Sequence, residues 1–230
     1  MKLLNWLSKK LLDRINYREY LMPAFDKQNE RPVEYSFVFA QIAKYYPKKI
    51  LDVGTGLTAL PHLMANCGCQ VTAVDNIRDY WPKDMFNRHF WVIDDDIQKS
   101  KLEEKFDMIT CVSTLEHIGD YSQAVAEMVR LLARKGHLVL TFPYNEKKGV
   151  ENVYLLKGTN AKELPKYGTR AFCRDNIRIW EKTYNVKVVG QEYWQFFDGD
   201  YWTVGKMELP PRKVTSGERH QISCIVLEKK

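Results

Sequence analysis

The stretch Ile50-Leu-Asp-Val-Gly-Thr-Gly56, followed by a helical run Ala59–Ala65 and then Val71-Thr-Ala-Val-Asp-Asn76, decides the fold. Ile50, Leu51 and Val53 make a short apolar strand, and the glycines after it let the backbone turn sharply and come close to a ligand. Thr58 is placed to cap the next helix, Pro61 falls in its first turn and Gly68 suits its end. A second strand runs into Asp75. The result is a β-turn-α-β unit with a carboxylate on each strand, suited to a nucleoside-like ligand.

Outward from this unit the pattern alternates. Strands are expected at 50–53, 71–75, 89–93, 106–112 and 137–142, with helices at 59–67, 99–104 and 121–134. Asp120 and Gln123 form a capping-box-like pair, Val125, Met128, Val129 and Leu132 face inward, and Gly136 follows the helix end. Such alternation implies a doubly wound, Rossmann-like, mostly parallel sheet. After Pro143 the pattern changes. Residues 144–169 are a polar excursion, Arg174–Tyr184 reads as a helix with Ile177, Trp180 and Tyr184 inward, and Val186–Glu192 as a strand. Asp198-Gly199 between the aromatic runs Tyr193–Phe197 and Tyr201–Val204 signals a hairpin. A break at Pro210-Pro211 precedes a last strand, Gln221–Leu227. The closing strands lack intervening helices and are expected to pair antiparallel.

Upstream, residues 3–21 read as a basic amphipathic helix, with Leu4, Leu7, Leu11 and Ile15 on one stripe and Lys9, Lys10 and Arg14 opposite. Packing over the domain and a peripheral membrane contact both fit it. A second helix runs from Glu34 to Tyr46 after the break at Arg31-Pro32.

A chain of 230 residues with 45% hydrophobic content suits one core, so 1–230 is expected to be a single domain. Within it, residues 1–48 would cover the site and 144–169 and 192–220 would be insertions. The net charge of +6 is spread along the chain, which argues against a nucleic-acid binder. Five cysteines, an odd number without metal spacing, suit a reducing compartment. No apolar run reaches the roughly 18 residues of a membrane span. Asn5, Ser8, Lys9 and Lys10 interrupt any signal-peptide core, so a cytoplasmic protein is expected.

Gly54-Thr-Gly-Leu-Thr-Ala59 also satisfies the dinucleotide pattern Gly-x-Gly-x-x-Gly/Ala, so a nicotinamide-dependent reductase and a non-catalytic nucleotide-binding subunit stand as alternatives. Tyr144-Asn-Glu-Lys-Lys148 has the spacing of a short-chain dehydrogenase, but in a polar loop without their glycine pattern. Asp52 opposes a pyrophosphate and welcomes a cation. Asp94-Asp95-Asp96-Ile97 adds acid on the same sheet edge, and Phe106–Ile118 is a buried strand leading into Glu116-His117.

With these motifs the chain resembles the class I S-adenosylmethionine-dependent methyltransferases of the small-molecule and sugar group, which implies a seven-stranded sheet with antiparallel C-terminal strands. The resemblance implies that Asp52 receives the methionine ammonium, that Gly54, Thr55 and Gly56 give backbone contacts, and that Asp75 accepts the ribose hydroxyls with Asn76 beside the adenine. Asp96 would meet the adenine amino group, Ile97 would pack on the ring, and Ser113 would begin the loop under the methyl. Arg31-Pro-Val-Glu-Tyr35 looks like the family's lead-in, with Tyr35 flanking the cofactor. Thr58 departs from the family's frequent third glycine.

His117 is the candidate base for an oxygen acceptor. The competing role for Glu116-His117 is shaping the pocket, and Ser113 replaces the first glutamate of the metal-holding Glu-x-x-Glu-His cluster, so no metal is expected. Glu116, Tyr144 and Arg170 are candidate substrate contacts. The aromatic runs suit a sugar or an aromatic ring, but a place in the core or at a homodimer surface is the expected role of most of these residues. The expected activity is methylation of a small molecule, a sugar or glycan-precursor hydroxyl foremost.

Overall fold

The computed structural model describes residues 2–21, 28–160 and 168–230. These fall into two compact units, one up to Pro32 and one from Val33 to Lys230. In the first, α1 (Lys2–Leu21) is the expected N-terminal helix. Arg14 lies two turns beyond Leu7 in that helix, so it shares the leucine stripe instead of opposing it, a correction that helical geometry alone supplies.

The second unit is built on one sheet in the order β3-β2-β1-β4-β5-β8-β6-β7. Its strands are β1 (Lys49–Val53), β2 (Gln70–Asp75), β3 (Val92–Asp94), β4 (Phe106–Val112), β5 (Leu132–Pro143), β6 (Val186–Phe197), β7 (Met207–Val214) and β8 (Ile222–Lys229). Strands β1 to β5 are mutually parallel, β8 runs antiparallel between β5 and β6, and β7 closes the edge antiparallel to β6. The expected seven strands are thus joined by an eighth. Pro210 and Pro211 sit inside β7, where an edge strand can lack ladder donors.

Neighbouring residues of the central strands bury opposite faces. Leu51, Ile109 and Leu140 pack with Val125 and Met128 of α5 (Tyr121–Leu131) and Ile177 and Trp180 of α6 (Arg174–Tyr184). Ile50, Met108 and Val139 pack with Phe37, Val38 and Ile42 of α2 (Arg31–Tyr45) and Leu60 and Met64 of α3 (Leu60–Asn66). Burial on both faces is what a doubly wound parallel sheet requires, and each large apolar side chain contributes roughly 1.5–3 kcal/mol.

Several local expectations change. The helix expected at 121–134 ends at Leu131, where Leu132 turns to extended angles and opens β5 ahead of the strand expected at 137, and α2 starts at Arg31, with the expected break at Arg31-Pro32 forming its first turn. Thr58 does not cap α3; its hydroxyl donates to the Thr55 carbonyl at 2.9 Å, tightening the turn, and Ala59 occupies the cap position. The helix expected at 99–104 is a short 3₁₀ turn, Ile97–Lys99, because Ser100 leaves helical angles. The hairpin is wider than its signal, with Phe197 opposite Met207. Asp198 closes a loop by accepting the Lys206 N–H at 2.6 Å, while Trp202 folds back edge-on against Phe196 and Phe197, so aromatic packing removes Tyr201–Val204 from the ladder. The polar excursion returns through bridges Val150–Ala171 and Tyr144–Phe172. Its residues 161–167 lie outside the described residues.

Candidate functional site

Parallel register brings the acidic strand ends together at the carboxyl edge of the sheet, the usual ligand crevice of open α/β sheets. A cavity of about 540 Å³ opens there. Gly54, Asp75, Asn76, Asp96, Ile97 and His117 line it.

The glycine turn forms one wall. Gly54 has φ +74° and Gly56 φ +56°, both in the left-handed region. The Gly54 N–H donates to the Val74 carbonyl at 2.9 Å, and the Gly56 N–H to Asp75 Oδ2 at 2.8 Å. Burial pushes the Asp75 carboxyl up from its ordinary range, opposed in part by hydrogen bonds from Gly56, Trp81 and Asn76. Asn76 caps the short helix α4 (Ile77–Tyr80).

Among the three consecutive aspartates, the partners differ. Asp94 sits opposite Asp75 in the β2–β3 register and pairs with Arg78 at 3.2 Å. Asp95 accepts the Ser100 hydroxyl at 2.5 Å and the Lys101 N–H at 3.3 Å. Asp96 caps the 3₁₀ turn by accepting the Gln98 N–H at 3.0 Å, and lines the cavity beside buried Ile97.

Several expected site residues are not on the cavity wall. Asp52 is buried: it lies opposite Thr110 in the β1–β4 register and accepts the Thr110 hydroxyl at 2.6 Å and the Thr55 hydroxyl at 2.7 Å. Its carboxylate, and the Thr55 side chain with it, therefore brace the turn from behind. Ser113, with φ +43°, turns its hydroxyl away to Glu34 at 2.6 Å, and Thr114 takes the place on the wall. Tyr35 packs against the apolar cluster of α2 and α3. Tyr144 is fully buried in the core, its hydroxyl donating to Glu146 at 2.9 Å. Arg170 is spent on Glu151 at 2.9 Å, on the Ile118 carbonyl at 3.1 Å and on the face of Tyr121.

Glu34 lies inside the Arg31–Tyr35 lead-in, but nothing in that stretch marks it as a site residue. It is fully buried, accepting the hydroxyls of Ser113 at 2.6 Å and Thr141 at 2.7 Å, and so ties α2 to the loop after β4. A Glu34→Leu variant would strand both hydroxyls, at about 1–3 kcal/mol for each buried group left unsatisfied. Urea titration is expected to show Glu34→Leu destabilised by roughly 2 kcal/mol or more, and Glu34→Gln, which keeps an acceptor oxygen, by less than half of that. Equal stability of the leucine variant and the native protein would contradict this role. Trp81 and Met85 also line the cavity, from a segment that carries no motif, as does Thr114, the neighbour of the expected Ser113.

His117 ends a 3₁₀ turn, Leu115–His117, at the cavity rim. Its Nδ1 lies 3.1 Å from the Gly168 carbonyl and 3.4 Å from the Thr169 hydroxyl, and its Nε2 lies 3.9 Å from Glu116 Oε1. Glu116 itself is buried.

Residues 20–175 match a family model described as a methyltransferase domain. A ubiquinone biosynthesis O-methyltransferase of Proteus mirabilis is 27% identical over 126 residues, 51% of this chain and 51% of that protein. Its counterpart in Actinobacillus pleuropneumoniae is 29% identical over 154 residues, 61% of this chain and 64% of its own length. The chain thus spans between half and two-thirds of these curated relatives. Among solved structures, the Burkholderia thailandensis 1,6-didemethyltoxoflavin-N1-methyltransferase superposes with TM-score 0.58 at 16% identity, covering 97% of this chain and 86% of that one. The N-methyltransferase NodS of Bradyrhizobium japonicum, in complex with S-adenosylhomocysteine, gives 0.55 at 17% identity, covering 89% of each chain. At such identities these likenesses establish the fold. With the family model matching more than half its length, the chain belongs to the methyltransferase-domain family and has the class I, Rossmann-like fold of S-adenosylmethionine-dependent methyltransferases.

Proposed function

We propose that the protein transfers a methyl group from S-adenosylmethionine to a hydroxyl of a small molecule, a sugar or glycan precursor. One observation carries the donor assignment: among the described residues, the cavity wall holds the carboxylates of Asp75, Asp95 and Asp96 and neither lysine nor arginine. Such a wall repels pyrophosphate and favours a cationic ligand. The residues present also fit an adenosyl group. Asp75 would take the ribose hydroxyls, Asn76 and Asp96 would lie at the adenine edge, and Ile97 and Met85 offer apolar faces to the ring. Gly54 would bring backbone close to the donor.

The donor supplies an electrophilic methyl on a sulfonium, whose positive charge is lost as the acceptor attacks. Little new charge then needs stabilising, and alignment of the acceptor by the chain does most of the work. An oxygen acceptor must also shed a proton. A carbonyl only accepts, so the neutral His117 ring carries its hydrogen on Nδ1, facing Gly168, and keeps its lone pair on Nε2. Nε2 is the nitrogen that would take the proton, and the Glu116 carboxylate beside it would stabilise the imidazolium formed. Residues 144–160, 168–169 and 192–220 would supply the acceptor surface.

A second acceptor reading, a ubiquinone-type precursor, is favoured by the names of the curated relatives. A peripheral membrane contact through α1 would suit it, since Leu3, Leu4, Leu7 and Leu11 are exposed. No described helix is long and apolar enough to cross a membrane.

Thermal melting tests the donor. S-adenosylhomocysteine at about 100 times its Kd is expected to add about 2.7 kcal/mol, roughly 5–10 °C for a chain of this size, with no shift from NADP. Asp75→Ala is expected to remove most of that shift. A shift with NADP alone would sink the methyltransferase reading, and an unchanged shift in Asp75→Ala would misplace the ribose. Turnover against nucleotide sugars and hydroxylated quinone precursors then separates the acceptors, and a protein inert with all of them would fit the non-catalytic subunit.

A further inference from the structure

The strap from Trp81 to Phe90 carries no motif, yet Trp81, Pro82 and Met85 form the wall of the cavity that faces the glycine turn. The side chain of Asn87 joins the two. The Asn87 amide nitrogen donates to the carbonyls of Gly56 and Thr58, both at 2.9 Å. Its oxygen accepts the N–H groups of His89 at 2.8 Å and Phe90 at 2.9 Å. An amide offers two donors and an acceptor oxygen with two lone pairs, so this residue is used to capacity, half within the strap and half across to the turn. Gly56 is gripped from both sides, its N–H by Asp75 and its carbonyl by Asn87. Met85 stands across from the turn at the distance of one added methyl: a Cβ built on Gly56 would come into ordinary contact with Met85 Cε, at 3.9 Å.

We propose that Asn87 is a positioning residue for the methyl donor, clasping the strap Trp81–Phe90 to the glycine turn and so setting the separation between the Trp81–Met85 wall and the Gly54–Asp75 wall. Asn87 is not itself on the cavity wall; it acts through Gly56 and Met85. The proposal rests on the methyltransferase reading. It predicts a defect in donor affinity and none in acceptor binding or in turnover once the donor is saturating.

The test is calorimetric titration of S-adenosylhomocysteine into the native protein, Asn87→Ala and Asn87→Asp, with steady-state kinetics alongside. Alanine removes the whole network. Aspartate keeps the acceptor for His89 and Phe90 but turns an oxygen toward the Gly56 and Thr58 carbonyls, so it cuts only the clasp. Both variants are expected to raise the Kd about tenfold, from two lost neutral hydrogen bonds. The KM for the donor should rise equally, with kcat and the acceptor KM unchanged. Should Asn87→Ala fail to fold, Asn87→Asp decides. An Asn87→Asp protein that binds like the native one would overturn the clasp, as would a fall in kcat at unchanged donor KM. A native protein that binds no S-adenosylhomocysteine would overturn the donor assignment, and this proposal with it.

Discussion

Replacing Gly54 by alanine is expected to abolish stabilisation by S-adenosylhomocysteine and, with it, methyl transfer. At φ +74° the added Cβ would stand 2.1 Å from Thr114 Cγ2 and 2.4 Å from Thr114 Oγ1, distances at which atoms cannot coexist. The left-handed conformation adds about 1–2 kcal/mol and the overpacking about 1–3 kcal/mol, so a stability loss of about 2–5 kcal/mol accompanies the loss of binding. Thr114 is a wall residue, so any relaxation that admits the methyl deforms the cavity. A second substitution separates collision from backbone strain. Thr114→Ala would not suffice, because Thr114 Cβ itself would lie 2.7 Å from the new methyl. Thr114→Gly in the Gly54→Ala background should restore part of the binding measured by titration. An undiminished melting shift in Gly54→Ala alone would mean that the turn is not the donor's cradle.

The second large effect is expected at His117. Asparagine there can still offer an N–H toward the Gly168 carbonyl, but it has no basic nitrogen in place of Nε2. His117→Asn should lower kcat by roughly 10²–10⁴-fold while S-adenosylhomocysteine binds essentially as before, the range typical of removing a general base. Single-turnover kinetics with saturating donor and acceptor measures this directly. A kcat within a factor of about three of the native enzyme would leave His117 as a shaper of the pocket and assign the proton to solvent or to another group. Glu116 makes a companion case: Glu116→Gln should weaken catalysis less, because it removes the charge beside the imidazolium and leaves the base in place.

The parallel core was readable because its signals are local. Ile50–Val53, Phe106–Val112 and Arg174–Tyr184 fall almost where apolar runs and a helical stripe put them, since a strand buried on both faces is apolar at most of its positions. The errors cluster where a side chain takes a packing or hydrogen-bond partner other than the one its local pattern offers. Trp202 chose Phe196 and Phe197 over the hairpin ladder. Thr58 spent its hydroxyl on a turn carbonyl instead of a helix cap. Tyr144 and Arg170, read as available to a substrate, are consumed by the core and by Glu151.

By itself, the amino-acid sequence determined the β-turn-α-β unit, the acidic strand ends and hence the preference for a cationic, nucleoside-bearing ligand, because spacing along a strand dictates which residues reach the sheet's edge. Only the tertiary structure decided which carboxylates face the cavity. Asp52 lies beside Thr110 in the register, and two hydroxyls draw it behind the turn, whereas Asp75 and Asp96 reach the wall. Glu34, Asn87 and Thr114 became visible only there as well, since what each does depends on partners far away in the chain that no local pattern announces.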